Sequence, residues 1–220
     1  QTRAEFLASD LAKSNAVIGT IEHPQLGPIS MPTQPLHLEA CPAEVMKPAP
    51  LLGAHNAEVM GEQHVPGKGS GQGGPPLAGT RAIDLASFIA GPVITRHLAM
   101  LGADVIKIEP RTGDPFRTFS PMFNGWNQGK RGVMLDLKEE TGRDFLYKMV
   151  AASDVVVENF RPGVAERLGC SAQELRSVRQ DLVLVKSPGY GFDESRADQP
   201  AFDPLLQALG GMMTAQGGDG

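Results

Sequence analysis

From residue 81 onward, short runs of β-branched apolar residues alternate with amphipathic stretches of helical period. Strands are predicted at 81–86, 104–109, 133–137, 154–158 and 182–186, and helices at 92–101, 139–152, 164–168, 172–179 and 204–213. In the second of these helices, Phe145 with Met149 and Leu146 with Val150 recur at i, i+4 on one side. Buried strands separated by helices are typical of parallel sheets covered on both faces. The pattern therefore predicts a doubly wound α/β domain.

The chain before residue 76 is organised differently. A helix is predicted at 2–13 and another at 54–62, with short strands at 16–21, 28–31 and 35–38 between them. This segment of 62 residues contains too few apolar residues for a core of its own. The stretch 63–75 is rich in Gly and Pro, a composition that predicts a flexible linker. We therefore divide the chain into a small strand-and-turn segment (1–62), a linker (63–75) and the α/β part (76–220).

Composition narrows the classes of function. The net charge of −5 gives no basic field for nucleic acid, and no apolar run reaches the length of a membrane span. The cysteines Cys41 and Cys170 form no C-x-x-C unit, which favours a reducing cytoplasm over a disulfide framework. The five histidines show no metal-ligand spacing, so we predict no metal site.

A series of strings between residues 76 and 220 carries a family resemblance. They are PLAGTRAIDL at 76–85, AGP at 90–92, LGADVIKIE at 101–109, GD at 113–114 followed by Arg117, KR at 130–131, LDLK at 135–138, DVVVENFRPG at 154–163, RLG at 167–169, GYG at 189–191 and AFDPLLQA at 201–208. In this order and spacing they resemble the N-terminal half of family III (CaiB/BaiF-type) CoA-transferases. The resemblance implies a Rossmann-like large domain and transfer of coenzyme A between an acyl-CoA and a free carboxylic acid.

The first 62 residues resemble the C-terminal end of the same family. The matching strings are EHPQLGP at 22–28, PLHL at 35–38 and PAPLLGAH at 48–55. The order is thus tail, linker, head, which is the order expected at the junction of a tandem fusion or in an engineered permutation. Because the chain starts at Gln1 and stops at Gly220 in a glycine run, we expect it to be a piece of a longer protein.

The resemblance also implies a set of coenzyme A contacts: Arg111, Leu135, Lys138, Asn159, Phe160 and Arg167. Cations suit the phosphates, and an aromatic ring at a strand end can lie against the adenine. Each residue also has a purely structural interpretation. Lys138 can be a solvated charge at the start of a helix, Phe160 a core residue, and Arg167 a cation at a helix C-terminus.

The family reaction is a double displacement at an aspartate, through an aspartyl anhydride and an aspartyl-CoA thioester. In the resemblance the nucleophilic Asp lies beyond residue 220, so we expect the chain to be inactive alone. Asp203 aligns with an acid next to that nucleophile, and its alternative interpretation is an N-cap, with Pro204 at the first helical position.

Several alternatives follow from the same residues. Acyl-CoA racemases of this kind carry a His where the chain has Phe202, and formyl-CoA transferases carry a Gln where it has Ile89. These differences disfavour racemisation and oxalate/formate specificity. A non-catalytic CoA-binding or scaffold module stays open, as does a nicotinamide-dependent oxidoreductase, although the loop after the first predicted strand lacks a glycine fingerprint. The family resemblance implies a homodimer for the full-length protein.

Overall fold

A computed structural model of the protein describes residues 2–33, 38, 47–62, 64, 74–191, 194–196 and 199–217. Its strands are β1 (Ile18–His23), β2 (Gly27–Pro32), β3 (Arg81–Asp84), β4 (Asp104–Glu109), β5 (Arg131–Met134), β6 (Val155–Glu158) and β7 (Val183–Lys186). Its α-helices are α1 (Arg3–Ala8), α2 (Asp10–Ser14), α3 (Asn56–Gly61), α4 (Ala90–Met100), α5 (Ser120–Trp126), α6 (Glu140–Ala151), α7 (Val164–Arg167), α8 (Ala172–Val178), α9 (Asp203–Leu209) and α10 (Met212–Gly217). Short 3-10 helices lie at Pro115–Thr118 and Glu194–Arg196.

The predicted parallel sheet is confirmed. Five strands lie in the order β5-β4-β3-β6-β7, and every neighbouring pair is parallel. From β3 the chain adds β4 and then β5 on one side, and it returns to add β6 and β7 on the other. The direction of winding therefore reverses between β3 and β6, which is where open α/β sheets commonly bind their ligands.

Helix α6 covers the sheet with the face that the sequence predicts. Leu146, Met149 and Val150 are buried in the main hydrophobic cluster, and Phe145 packs against it half-buried. The same cluster contains apolar residues of β3, β4, β5 and β6, so one core spans most of the sheet. Burial of β-branched and leucine side chains of this kind is the main term that stabilises such a domain.

The N-terminal segment contains an antiparallel hairpin. Strands β1 and β2 pair from Ile18 opposite Pro32 to His23 opposite Gly27, close to the predicted strands. The predicted helix at 2–13 was wrong in one respect, because Ser9 interrupts it: the Ser9 side chain accepts from the N–H of Ala12 and starts α2 as a separate helix. The predicted strand at 35–38 lies outside the described residues except for its last one.

The segment before the linker covers the outer edge of β5. The N–H of His55 donates to the carbonyl of Gly132 at 3.0 Å, and the N–H of Gly132 donates to Nδ1 of His55 at 3.0 Å. The Asn56 side chain continues the pattern, since Oδ1 accepts from the N–H of Met134 at 2.9 Å and Nδ2 donates to its carbonyl at 3.2 Å. A side-chain amide thus takes the place of a neighbouring strand's peptide group.

Further differences from the predictions concern the bounds of β5, the division of one helix and two short helices. Strand β5 starts and ends earlier than 133–137, because its register with β4 runs from Ile106 opposite Arg131 to Glu109 opposite Met134. The predicted helix at 204–213 is divided into α9 and α10 at Gly211, whose φ of +73° is left-handed. The 3-10 helix before α5, and α5 itself, were not predicted. The predicted linker lies mostly outside the described residues.

Candidate functional site

The loops that follow β3 and β6 meet where the winding reverses. Asn159, directly after β6, accepts from the N–H of Ser87 at 2.9 Å and donates to the Ser87 carbonyl at 2.8 Å. This reciprocal pair joins the two loops across the crevice between the strands. The carboxyl edge of the sheet is therefore a fixed surface at the position where a ligand is expected.

A fully buried ion pair lies beneath this surface. Nζ of Lys130 donates to Oδ2 of Asp84 at 2.8 Å, and it also donates to the Pro92 carbonyl and to Oδ1 of Asn127. Oδ2 of Asp84 accepts a further bond from the Thr95 hydroxyl at 2.7 Å. Burial lowers the pKa of Lys130 to about 8, although the Asp84 carboxylate opposes the shift. The pair ties β3 to the start of α4 and to the loop before β5.

A second buried cation, Lys107 of β4, lies beside the first pair. Its Nζ lies 3.0 Å from Oδ2 of Asp114 and donates to the Ala86 carbonyl at 2.8 Å. Burial favours the neutral amine, but the Asp84, Asp114 and Glu109 carboxylates outweigh burial and raise the pKa of Lys107. The carboxylates therefore favour the charged form of Lys107, whose Nζ holds the loop after β3 through the Ala86 carbonyl.

Aromatic rings form a partly exposed cluster around Phe88, in the loop after β3. The Phe88 ring packs edge-on against Phe116 at a centroid distance of 5.4 Å and against Phe202 at 6.2 Å. The Arg161 guanidinium lies 5.7 Å from the Phe202 ring centroid. Phe88 has a φ of +65°, in the left-handed region that a residue with a bulky side chain seldom occupies. Strained residues of this kind often lie at functional sites.

Most of the predicted coenzyme A contacts follow the carboxyl ends of strands. Arg111 follows β4 and Lys138 follows β5, and both are exposed. Leu135 is buried directly after β5, where its N–H donates to the Glu109 carbonyl. Phe160 is half-buried after β6 and packs against the main hydrophobic cluster. The strand ends thus bring exposed cations and an apolar surface to the same edge of the sheet.

Two of the next three positions differ from the sequence interpretation, and one agrees with it. Lys138 lies outside a helix, because α6 begins at Glu140. Arg167 is exposed at the last position of α7, as predicted for a helix C-terminus. The N-cap interpretation of Asp203 was wrong: Phe202 is the N-cap of α9, and the exposed Asp203 carboxylate instead accepts from Nε2 of Gln207 at 2.5 Å. The roles of these residues toward a ligand stay predictions.

At the opposite edge of the sheet, charged groups join β3, β4 and β5 to the segment before the linker. Arg131 contacts Glu58, Glu62 and Asp104 at 2.6 to 2.8 Å, and Arg81 contacts Glu62 and Asp104 at 2.7 Å. The hydrogen bond from Arg131 is the largest influence on Glu62 and lowers the pKa of that carboxyl. A cavity of about 880 Å³ borders this network, and none of the predicted coenzyme A contacts lines it.

The lowered pKa of Glu62 predicts a dependence of stability on pH. The folded pKa lies below the ordinary value of 4.5, so the stabilisation is present above that value and is lost as pH falls through the folded pKa. We expect the melting temperature of the wild type to exceed that of Glu62→Gln at about pH 6 and the difference to narrow towards about pH 3. Thermal unfolding of both proteins checks this. A difference that stays constant with pH would exclude titration of Glu62 as its origin.

Comparison with known proteins identifies the family. The model of "CoA-transferase family III" matches residues 77–220. The chain belongs to this family. Among its curated relatives, the acetyl-CoA:oxalate CoA-transferase of Acetobacter aceti is 41% identical over 150 residues, which cover 64% of this chain and 39% of the relative. The succinyl-CoA:mesaconate CoA-transferase of Haloarcula hispanica is 37% identical over 153 residues, which cover 62% and 39%.

Solved structures agree with the family assignment and the fold. A CaiB/BaiF family protein of Brucella suis superposes with a TM-score of 0.60 at 34% identity, over 63% of this chain and 40% of that one. A hypothetical protein of Mycobacterium tuberculosis gives a TM-score of 0.59 at 34% identity, over 64% and 41%. The chain of this family III member therefore spans about two-fifths of the length of the proteins it matches. No helix in the described ranges is long and apolar enough to cross a membrane.

Two features of the site were missed by the sequence reasoning. The burial of Lys107 and Lys130 was not predicted, because lysines are rarely buried unless they are paired. The partner of Lys130, Asp84, is distant in sequence, and no pattern marks Asp114 as the partner of Lys107. Phe88 was not singled out either. The one local signal was that the loop after the first strand of the sheet is apolar. It contains no glycine before Gly91, although glycine is the residue that normally indicates a left-handed turn.

Proposed function

We propose that the chain supplies the coenzyme A-binding part of an enzyme that transfers coenzyme A from an acyl-CoA to a free carboxylic acid. Membership of the CoA-transferase family supports the reaction class. The observation that carries the binding assignment is the position of Arg111, Lys138 and Phe160, each just after a strand at the carboxyl edge of the sheet. Ligands of open α/β sheets bind at this edge.

The chemistry of these residues suits the two ends of the nucleotide. Exposed guanidinium and ammonium groups at Arg111, Lys138 and Arg167 can approach phosphate oxygens without first losing a buried partner. The half-buried Phe160 is anchored in the core, so its exposed part offers a fixed apolar surface for a base. In this assignment Leu135, buried directly after β5, contributes apolar surface at the same edge of the sheet.

The proposed reaction passes through covalent intermediates of two kinds, aspartyl anhydrides and an aspartyl-CoA thioester. An enzyme aspartate, which we place outside residues 1–220, attacks the thioester carbonyl, and coenzyme A thiolate leaves to give a mixed anhydride. The thiolate then attacks the aspartyl carbonyl, which releases the donor acid and forms an aspartyl-CoA thioester. The acceptor carboxylate attacks this thioester to form a second anhydride, and the thiolate takes the acceptor acyl group and frees the aspartate. In this scheme the chain binds coenzyme A but does not turn over by itself.

Calorimetric titration of the 220-residue chain with coenzyme A tests the proposal. We expect saturable binding that weakens at least about tenfold in Lys138→Ala/Arg167→Ala, because each loses a charge-assisted contact with phosphate. The matched control is Arg3→Ala/Lys13→Ala, which removes the same two charges from α1 and α2 and should bind like the wild type. If the wild-type protein is folded and shows no saturable binding of coenzyme A, the proposal is contradicted. If both double variants lose the same affinity, the effect comes from net charge and not from contacts of Lys138 and Arg167 with phosphate.

A further inference from the structure

The loop that connects β3 to α4 is held from two neighbouring strands. Nζ of Lys107 in β4 donates to the Ala86 carbonyl at 2.8 Å. Asn159 after β6 bonds both the N–H and the carbonyl of Ser87, at 2.9 and 2.8 Å. The Lys107 side chain is fully buried and that of Asn159 half-buried. The peptide groups of two consecutive loop residues are therefore fixed by side chains that approach from opposite sides of β3.

The next residue in the loop is held by a third side chain. Oδ1 of Asp114 accepts from the N–H of Phe88 at 3.4 Å and from the N–H of Phe116 at 2.9 Å. Asp114 is itself buried and fixed by Lys107, whose Nζ lies 3.0 Å from Oδ2. Lys107 thus holds the loop twice, directly at Ala86 and through Asp114 at Phe88.

These contacts keep Phe88 in a conformation that its own backbone disfavours. A φ of +65° brings the Cβ of an L-residue too close to its backbone, and glycine alone occupies that region freely. The exposed Phe88 ring packs edge-on against Phe116 and Phe202, so the strain is accompanied by a defined ring position at the carboxyl edge. Backbone strain persists only where surrounding contacts determine it.

We propose that Lys107, Asp114 and Asn159 are positioning residues, which hold residues 86–88 in the shape that the bound coenzyme A thioester requires. The inference rests on the proposed function and adds to it a loop whose preset conformation determines affinity. If the loop left this conformation, the apparent dissociation constant would rise in inverse proportion to the fraction of molecules that retain it. A merely structural loop would change stability without this effect on affinity.

Two substitutions of Phe88 separate a role of the loop in binding coenzyme A from a purely structural role. Phe88→Ala removes the ring and keeps the strained Cβ, whereas Phe88→Gly removes the ring and also relieves the strain. We expect Phe88→Gly to melt about 2–4 °C above Phe88→Ala. We expect it also to bind coenzyme A about fivefold more tightly than Phe88→Ala, because the strained alanine is driven out of the left-handed conformation that glycine occupies freely, so that fewer alanine loops keep the binding shape. Equal affinities of the two variants, or weaker binding by the glycine variant, would overturn the inference.

Hydrogen exchange of the Ser87 and Phe88 amides measures the loop without any ligand. Both amides should be protected in the wild type and in Phe88→Gly, and should exchange about fivefold faster in Phe88→Ala. Fast exchange in the wild type would overturn the positioning role even if coenzyme A binds. A protected loop in a wild type that does not bind coenzyme A would instead contradict the proposed function, and with it the purpose assigned to the loop.

Discussion

Asp84→Asn is expected to lower the free energy of unfolding by about 3–5 kcal/mol at neutral pH. The substitution keeps the shape of the side chain but leaves the fully buried Lys130 without the carboxylate that lies 2.8 Å from its Nζ. An uncompensated buried cation costs far more than the pair itself contributes, because its hydration is not replaced. Urea unfolding followed by circular dichroism measures the loss.

The double variant Asp84→Asn/Lys130→Met is the control for this interpretation. It removes the buried charge together with its partner, so it should be more stable than Asp84→Asn alone, although hydrogen bonds to Thr95 and Asn127 change. A single variant within about 1 kcal/mol of the wild type would contradict the expected cost of removing the carboxylate from Lys130.

Gly142→Ala is expected to cost about 1–3 kcal/mol or more. A Cβ at this position would lie 1.9 Å from the Asp136 carbonyl oxygen and 2.8 Å from its carbonyl carbon. The obstacle is backbone, in the loop between β5 and α6, so no flexible side chain can move aside. Relief requires α6 to shift away from the sheet, which would disturb its buried Leu146. Chemical denaturation gives the size of the loss.

Gly61→Ala provides the matched substitution in another helix. Gly61 is exposed in α3, and a Cβ there would meet no atom within 4 Å. The same added methyl group should therefore stabilise the protein, by up to about 1 kcal/mol, because alanine favours a helix over glycine. If Gly142→Ala and Gly61→Ala changed the free energy of unfolding in the same direction, the steric explanation for Gly142 would be contradicted.

The strands and helices of the sheet were predictable because their signals are local. In 104–109 the β-branched residues Val105, Ile106 and Ile108 indicate a strand, and the predicted bounds are those of β4. Helix α6 was predictable for the same reason, since the spacing of Leu146, Met149 and Val150 defines its buried face. Parallel pairing of the strands, though not their order in the sheet, then follows from the alternation of strands with helices.

Helix α5 was not predictable because its stabilisation is tertiary. Gly125 opposes a helix in the sequence, and Pro121 is compatible only with the first turn of one, whereas in the fold Phe123 is buried and the Arg117 guanidinium lies 4.0 Å from its ring centroid. The buried lysines were missed for a related reason. Lys130 and its partner Asp84 are 46 residues apart, so no local pattern connects them.

The sequence indicates at which edge of the sheet the candidate site lies, but not the contacts that form it. A strand end followed by Asn159 and Phe160 indicates the binding edge, because parallel strands present their carboxyl ends together. What the sequence does not contain is the partner of Asn159, which is the backbone of Ser87, 72 residues earlier. The left-handed Phe88 follows from that contact and from Asp114, and local propensity alone argues against it.

The contact of the Asn56 side chain with the Met134 backbone determines at which edge another strand can extend the sheet. Both hydrogen-bonding groups of Met134 at the β5 edge are already occupied, so a strand added there would have to displace Asn56 and the helix that starts with it. At the other edge, β7 pairs only with β6 among the described strands, and Val183 is 54% exposed. Any further strand, from this chain or another, would join the sheet beside β7 at the lower cost, because nothing described has to be removed first.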